Sequence, residues 1–183
     1  MTLLDIGGGL RPHPDATCIV DLYNQGKDYK KWDLNKFPYP FENNSFDIVY
    51  ARMVLEHVAH PIETVNEMYR IAKKKIIIIV PHYSSQVAFN SLGHRNYFAS
   101  NSFSEFYSPE DSNSLIPKWK GKPKVTLKYA DNKGKLKFLN PIYNPIINWK
   151  PVAMERYFIP LIWCGIDEIK FEFTKENDRK RRY

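Results

Sequence analysis

Residues 2–9 read Thr2–Leu3–Leu4–Asp5–Ile6–Gly7–Gly8–Gly9, a short apolar strand that runs straight into three glycines. Glycine lacks Cβ and tolerates positive φ, so a strand ending this way can turn tightly and pass within contact distance of a ligand. A strand followed by G-x-G is a nucleotide-cofactor signal in open α/β sheets, where ligands bind beyond the C-terminal strand ends. The next acidic strand end, Asp21, follows Gly9 after only 12 residues. A dinucleotide fold needs a full helix in that interval and places its ribose-binding acid about 20 residues onward. Pro12 and Pro14 break the interval here, which argues against NAD or FAD. No Lys-Ser or Lys-Thr follows the glycines, so a triphosphate-binding P-loop is absent. Asp21 can still accept both hydroxyls of a ribose, and Asp33, after a third strand, can accept from an adenine amine. An adenosine cofactor without phosphates fits these residues best.

Outward from this loop, strands are expected at residues 2–6, 16–22, 30–34, 46–51 and 75–80, the alternation of a parallel α/β sheet. The unbroken isoleucines of the last suggest a central strand covered on both faces. A helix is expected from Pro61 to about Lys73, because Pro61 suits a first helical position and Glu63 and Lys73 match the helix dipole. Ile62, Val65, Met68 and Ala72, with Tyr69 alongside, form its apolar stripe. Residues 82–117, rich in Ser, Asn and aromatics, read as a lid or substrate-side insertion over the C-terminal sheet edge, with a short helix at 101–106. Residues 118–140 read as a basic β-hairpin turning at Asp131–Asn132–Lys133–Gly134. A short helix at 151–157, a late strand at 168–173 and a basic tail at 175–183 complete a single domain over 1–183.

The 183 residues, 43% apolar and 15% aromatic, are too hydrophobic for a disordered chain. The longest apolar stretches, 75–81 and 157–166, fall far short of the roughly 20 residues that cross a bilayer. The N-terminus has no secretory pattern, and Cys18 and Cys164 allow at most one bridge, so a reduced, cytoplasmic setting is expected. Of the net charge of +7, six units fall in residues 101–183, and eight lysines lie between Lys118 and Lys137. Such a patch can meet nucleic acid or an acidic protein surface, though a solvated hairpin explains it as well.

The combination of motifs resembles the class I S-adenosylmethionine-dependent methyltransferases, in the small group called type 11 methyltransferases. The matching pieces are Leu4–Asp5–Ile6–Gly7–Gly8–Gly9, Val20–Asp21–Leu22, Trp32–Asp33–Leu34, the run from Phe37 to Val49, Leu55–Glu56–His57–Val58 and Glu67–Met68–Tyr69–Arg70–Ile71. Pro81–His82 and Gly93–His94–Arg95–Asn96–Tyr97–Phe98 resemble a subset of the same group. The resemblance is strong over residues 3–82, fair to about 108 and poor beyond. It implies a Rossmann-like sheet, mostly parallel with a late antiparallel strand, here shortened at the N-terminus. It implies S-adenosyl-L-methionine as cofactor, with Asp5, Gly7 and Gly9 passing its methionine portion, Asp21 its ribose, Asp33 and Leu34 its adenine, and Tyr50 lining the site near the sulfonium. The Lys-Pro-Gly-Gly turn usual before strand five is replaced by Lys73–Lys74–Lys75, which reads as a tighter connection.

Methyl transfer is an in-line displacement at a carbon already activated by the sulfonium, so aligning the acceptor and excluding water matter most. His57, His82 and His94 are the candidate bases. Tyr83, Arg95 and Tyr97 are candidates for holding substrate, Arg95 by bidentate contact with a carboxylate or phosphate. No metal is expected, since neither His82 nor His94 begins an H-E-x-x-H pattern and the two cysteines are not spaced for zinc. The leading function is methyl transfer to a small or medium-sized acceptor. The alternatives are an RNA or protein methyltransferase and a non-catalytic S-adenosylmethionine-binding protein. A homodimer would cover the short N-terminal edge.

Overall fold

The computed structural model describes residues 1–23, 26–107, 122–129, 140–157 and 166–175. Seven strands form one sheet: β1 (Leu3–Ile6), β2 (Cys18–Asp21), β3 (Tyr29–Lys31), β4 (Phe46–Arg52), β5 (Ala72–Pro81), β6 (Lys124–Tyr129) and β7 (Ile166–Thr174). Their order is β3-β2-β1-β4-β5-β7-β6. Strands β1 to β5 pair in parallel, whereas β7 lies antiparallel to both of its neighbours. The chain reverses its direction across the sheet between β3 and β4, so β1 and β4 meet at the centre with their C-terminal ends on one edge. In open α/β sheets that is the switch point where ligands bind.

Helix α1 (Pro61–Ile71) packs against β4 and β5 through Val65, Met68 and Ile71, all fully buried. Each such side chain stabilises the fold by roughly 1.5–3 kcal/mol relative to exposure. Ile62, expected in the stripe, is 43% exposed because the buried face begins one turn later, with Thr64 and Val65. The helix passes without a linker into β5 at Ala72, the tight connection that the three lysines suggested. Its freed carbonyls find a donor in Lys175, whose Nζ bonds Tyr69 O at 2.9 Å and Ala72 O at 3.1 Å. Arg70 ties the helix to the preceding loop by donating to Phe41 O and Tyr39 O, while Glu67 accepts from the Tyr39 amide at 2.6 Å. The β5 isoleucines alternate after all: Ile76 and Ile78 are buried and Ile77 and Ile79 are half-buried, so one face of the strand is less fully covered.

Residues 82–107 are built into the core through Phe98, Phe103 and Phe106, and Phe103 meets the β7 rings Phe171 and Phe173 edge-on. The helix expected at 101–106 is only a 3₁₀ turn, Ser104–Phe106. Helix α2 (Gln86–Phe89) is capped by Ser85, whose Oγ accepts from Val87 N. Strand β6 pairs with β7; the return strand of the expected hairpin, at 135–139, lies outside the described residues, as do Cys164 and the tail from 176 on. Helix α3 (Asn140–Trp149), for which the sequence analysis assigned no element, carries two prolines, Pro141 and Pro145. Pro141 sits in the first turn, where a missing N–H costs nothing, and Pro145 forfeits only the bond back to that turn. Asn148 docks the helix on the edge strand, its amide accepting from Leu127 N and donating to Leu127 O, both at 2.7 Å. Helix α4 (Pro151–Tyr157) occupies its expected span. Among the described residues no helix is long and apolar enough to cross a membrane.

Candidate functional site

Strand β1 ends in the glycine loop at the switch point. Gly7 has φ +69° and Gly9 φ +54°, the left-handed region that favours glycine. Space requires glycine at the first of these as well: a Cβ on Gly7 would come within 2.5 Å of Val54 Cγ2, in the turn that leaves β4. Two bonds fix the loop from the side, Gly7 N donating to Val20 O at 2.7 Å and Tyr29 Oη donating to Gly9 O at 2.9 Å.

The carboxylate of Asp21, at the end of β2, is turned onto this loop. Its Oδ2 accepts from Gly9 N at 3.1 Å and its Oδ1 from Tyr23 N at 2.8 Å. Asp5 is buried in β1 and accepts from the His13 amide at 2.7 Å; burial pushes its carboxyl above the ordinary value, against the pull of His13. A cavity of about 230 Å³ opens beside the loop, and Asp5, Gly7, Gly8, Arg11, His13 and Tyr50 help to line it. Tyr50 lies opposite Asp5 in the β1–β4 register and carries the His13 ring edge-on at 4.7 Å. Burial raises the Tyr50 hydroxyl above its ordinary value, so it stays protonated and can donate. The interval from Gly9 to β2 contains no helix, as the two prolines implied, and the backbone N–H of His13 is spent on Asp5.

The profile of a family described as a methyltransferase domain matches residues 16–80. That match covers about a third of the chain, which there is similar to a methyltransferase domain. Among solved structures, a SAM-dependent methyltransferase from Archaeoglobus fulgidus is similar over 95% of this chain and 86% of its own, with 15% identity and a TM-score of 0.56. A protein from Thermotoga maritima described as a SAM-dependent methyltransferase and possible histamine N-methyltransferase is similar over 96% and 82%, with 14% identity and a TM-score of 0.56. The YcgJ protein of Bacillus subtilis is similar over 96% and 92%, with 13% identity and a TM-score of 0.55. No protein of curated function matches the sequence. The fold is therefore the class I methyltransferase fold, with its mostly parallel sheet and late antiparallel strand.

Within this fold, Asp5, Gly7 and Tyr50 line the cavity, and Gly9 and Asp21 adjoin it. Asp33 and Leu34 follow β3 but lie off that cavity: Asp33 Oδ1 accepts from Asn35 N within its own turn, and Leu34 O accepts from Tyr39 Oη. His82 departs from the expected substrate-facing place. Its ring is 0% exposed, held between Ser84 and Glu155. The backbone N–H of Ser84 points at Nδ1 at 3.1 Å, which makes Nδ1 the acceptor and places the proton on Nε2, donating to Glu155 Oε1 at 2.9 Å. Glu155 also accepts from the amide and hydroxyl of Ser100. Burial pushes the Glu155 carboxyl up, but these bonds outweigh it and hold it below the ordinary value. His82 is thus the tie between the end of β5 and α4.

Tyr83 remains partly exposed with its ring tilted on His82, Tyr97 is exposed and stacked on Phe89 at 4.9 Å, and Arg95 is exposed. His57 and His94 meet, ring centroids 4.6 Å apart, because Arg95 N donates to Glu56 O and the Asn96 side chain donates to Leu55 O and Val58 O. Burial first, and then the neighbouring His94, hold His57 below its ordinary value. Residues 54–57 form a turn. The residues that the sequence reading passed over are Arg11 and His13, in the proline-broken interval, and Glu155, whose partners lie 55 and 73 residues away.

Proposed function

We propose that the protein transfers a methyl group from S-adenosyl-L-methionine to a small or medium-sized acceptor, by in-line displacement and in a reducing, cytoplasmic setting. The observation that supports this most directly is the Asp21 carboxylate turned onto the Gly9 amide beside an open crevice at the switch point. The residues fit the cofactor: two positive-φ glycines leave the backbone bare on the crevice side, and no phosphate-binding device is present in that loop. Bound there, the cofactor supplies a methyl group already activated by the sulfonium. Asp21 accepts the ribose hydroxyls while Gly9 N keeps its carboxylate oriented. Asp5 takes the methionine amino group, and Tyr50 walls the crevice on the β4 side. Asp33 and Leu34 receive the adenine on the β3 side. Tyr83, Arg95 and Tyr97 form the acceptor side. Alignment and exclusion of water carry most of such a transfer, so neither His57 nor His94 has to act as a base unless the acceptor is a hydroxyl or protonated amine.

Calorimetric titration of the full chain with S-adenosylmethionine and S-adenosylhomocysteine tests this. Saturable binding of both is expected, and Asp21→Ala should weaken both by roughly 10- to 150-fold, the worth of hydrogen bonds to a charged group of about 1.5–3 kcal/mol. Binding unchanged by that substitution refutes the ribose role, and absence of binding refutes the function.

A further inference from the structure

We propose that Glu56, His57 and His94 form a three-ligand site for a divalent transition-metal ion, zinc in the first instance. One carboxylate oxygen of Glu56 and one ring nitrogen of each histidine all lie within 4.8 Å of one another. Zinc bonds of about 2.0–2.1 Å to such ligands set neighbouring donors roughly 3.3–3.4 Å apart in a tetrahedron, so a modest contraction of the cluster closes the site.

Three observations point to a ligand here. Glu56 is 1% exposed, yet its Oε2 has no hydrogen-bond partner. A buried carboxylate oxygen left unpaired is costly, and a cation on the open side of the cluster removes that cost. Next, the two histidines are oriented as metal ligands are. His57 Nδ1 faces Gly93 O at 3.3 Å and His94 Nδ1 faces Ala88 O at 2.9 Å. A carbonyl can only accept, so each Nδ1 carries its proton and each Nε2 keeps the lone pair; a ligating histidine commonly donates its other N–H to a carbonyl in just this manner. Last, the donors are held by two segments fastened to each other. Arg95 N donates to Glu56 O at 2.7 Å, and Asn96 Nδ2 donates to Leu55 O and Val58 O, both at 2.8 Å.

The donor set decides the metal class. Two imidazoles and one carboxylate suit zinc and its first-row neighbours, whereas magnesium and calcium prefer oxygen alone. Three protein ligands leave the fourth position to water or to a ligand atom, and His57, which is exposed, gives solvent access to it. The ion would clasp the loop of residues 93–96 to the turn that carries Val54 against Gly7, which makes the clasp one residue chain away from the glycine loop. This inference does not depend on the methyl-transfer reading.

The test is calorimetric titration of the chelator-treated full chain with Zn²⁺, with Co²⁺ absorption as the report on geometry. One equivalent of Zn²⁺ per chain is expected, with visible Co²⁺ bands of a tetrahedral site. Affinity should fall about tenfold or more in His94→Ala and in His57→Ala, whose exposed position makes it a safe variant for folding. Saturable binding that survives unchanged in the double histidine variant would place the ion elsewhere and overturn the proposal. So would a wild-type chain that takes up no Zn²⁺ at about 100 μM, the concentration at which even a weak site with a Kd near 10 μM is filled.

Discussion

Replacing Glu155 by alanine should cost the fold several kcal/mol, and the structure sets the size. Glu155 is 7% exposed and accepts three bonds, from His82 Nε2, Ser100 N and Ser100 Oγ. The substitution strands all three donors in a region where His82 is sealed from solvent. Removing one partner from a buried charged network typically costs about 3–5 kcal/mol. For a chain of this length that lowers Tm by roughly 6–20 °C, and in urea it moves the midpoint without changing the slope. Glu155→Gln keeps one acceptor oxygen and loses the charge, so its cost should be intermediate. The pH dependence follows from the carboxyl being held below its unfolded value. A group lowered in this way stabilises above the unfolded pKa of about 4.5, and its contribution is lost as pH falls through the native value. The gap between the native protein and Glu155→Ala should therefore be full at pH 7 and close in acid. Urea melts read by tryptophan fluorescence from pH 7 to pH 3 make the measurement. A cost below about 1 kcal/mol, or a gap that ignores pH, would refute the claim that Glu155 holds His82 and would reopen the substrate role first expected of that ring.

Two further outcomes test neighbouring parts of the site. Gly7→Ala should destabilise by about 2–5 kcal/mol, combining the strain of a left-handed φ with overpacking against Val54; adding Val54→Ala should recover the packing part and leave the strain, and full recovery would refute the conformational argument. Burial pushes the Glu56 carboxyl up to about 7. With chelator present, the native state then keeps a proton that the unfolded chain loses, so stability should fall by about 3 kcal/mol as pH rises from about 4.5 to about 7, at 1.36 kcal/mol per unit. Glu56→Gln should abolish that fall, and a stability profile unchanged by the substitution would mean that the carboxyl is solvated.

Most of the sheet could be read before any coordinates, because its strands announce themselves locally. Each of β1, β2, β4 and β5 is a short apolar run bounded by glycine, proline or a turn, and α1 has its proline at the start and its charges matched to the dipole. The errors share one cause, tertiary context overriding local pattern. Asn140–Trp149 received no element from its local pattern, and it is docked by Asn148, which bonds Leu127 as a strand partner would. The isoleucine run of β5 reads as doubly covered, yet the β4 and β7 neighbours leave Ile77 and Ile79 half-buried. Lys175 belongs to a charge-rich terminus on paper, but its ammonium lies against the end of α1, 4.4 Å over the Tyr69 ring.

The site divides in the same way. Asp5, the glycines and Asp21 were legible because β1 and β2 are adjacent in both sequence and space, so spacing along the chain is nearly spacing in the crevice. The three histidines were not legible, since residue type says nothing of which carbonyl, amide or carboxylate a ring will meet. His82 follows β5 directly, the place where ligands gather, but a glutamate 73 residues away closes over it. His57 and His94 stand 37 residues apart and come together only because Asn96 spends its side-chain amide on the two carbonyls that flank Glu56 and His57. A search for metal motifs by local spacing therefore passes over them. The physical distinction is visible in their partners: His82 has both ring nitrogens used within the protein, whereas His57 and His94 each spend Nδ1 on a carbonyl and cluster with Glu56, a carboxylate that has an unpaired oxygen. Three histidines of one sheet edge thus divide into one structural ring and two rings prepared for a ligand, and the hydrogen-bond acceptors around them make the division.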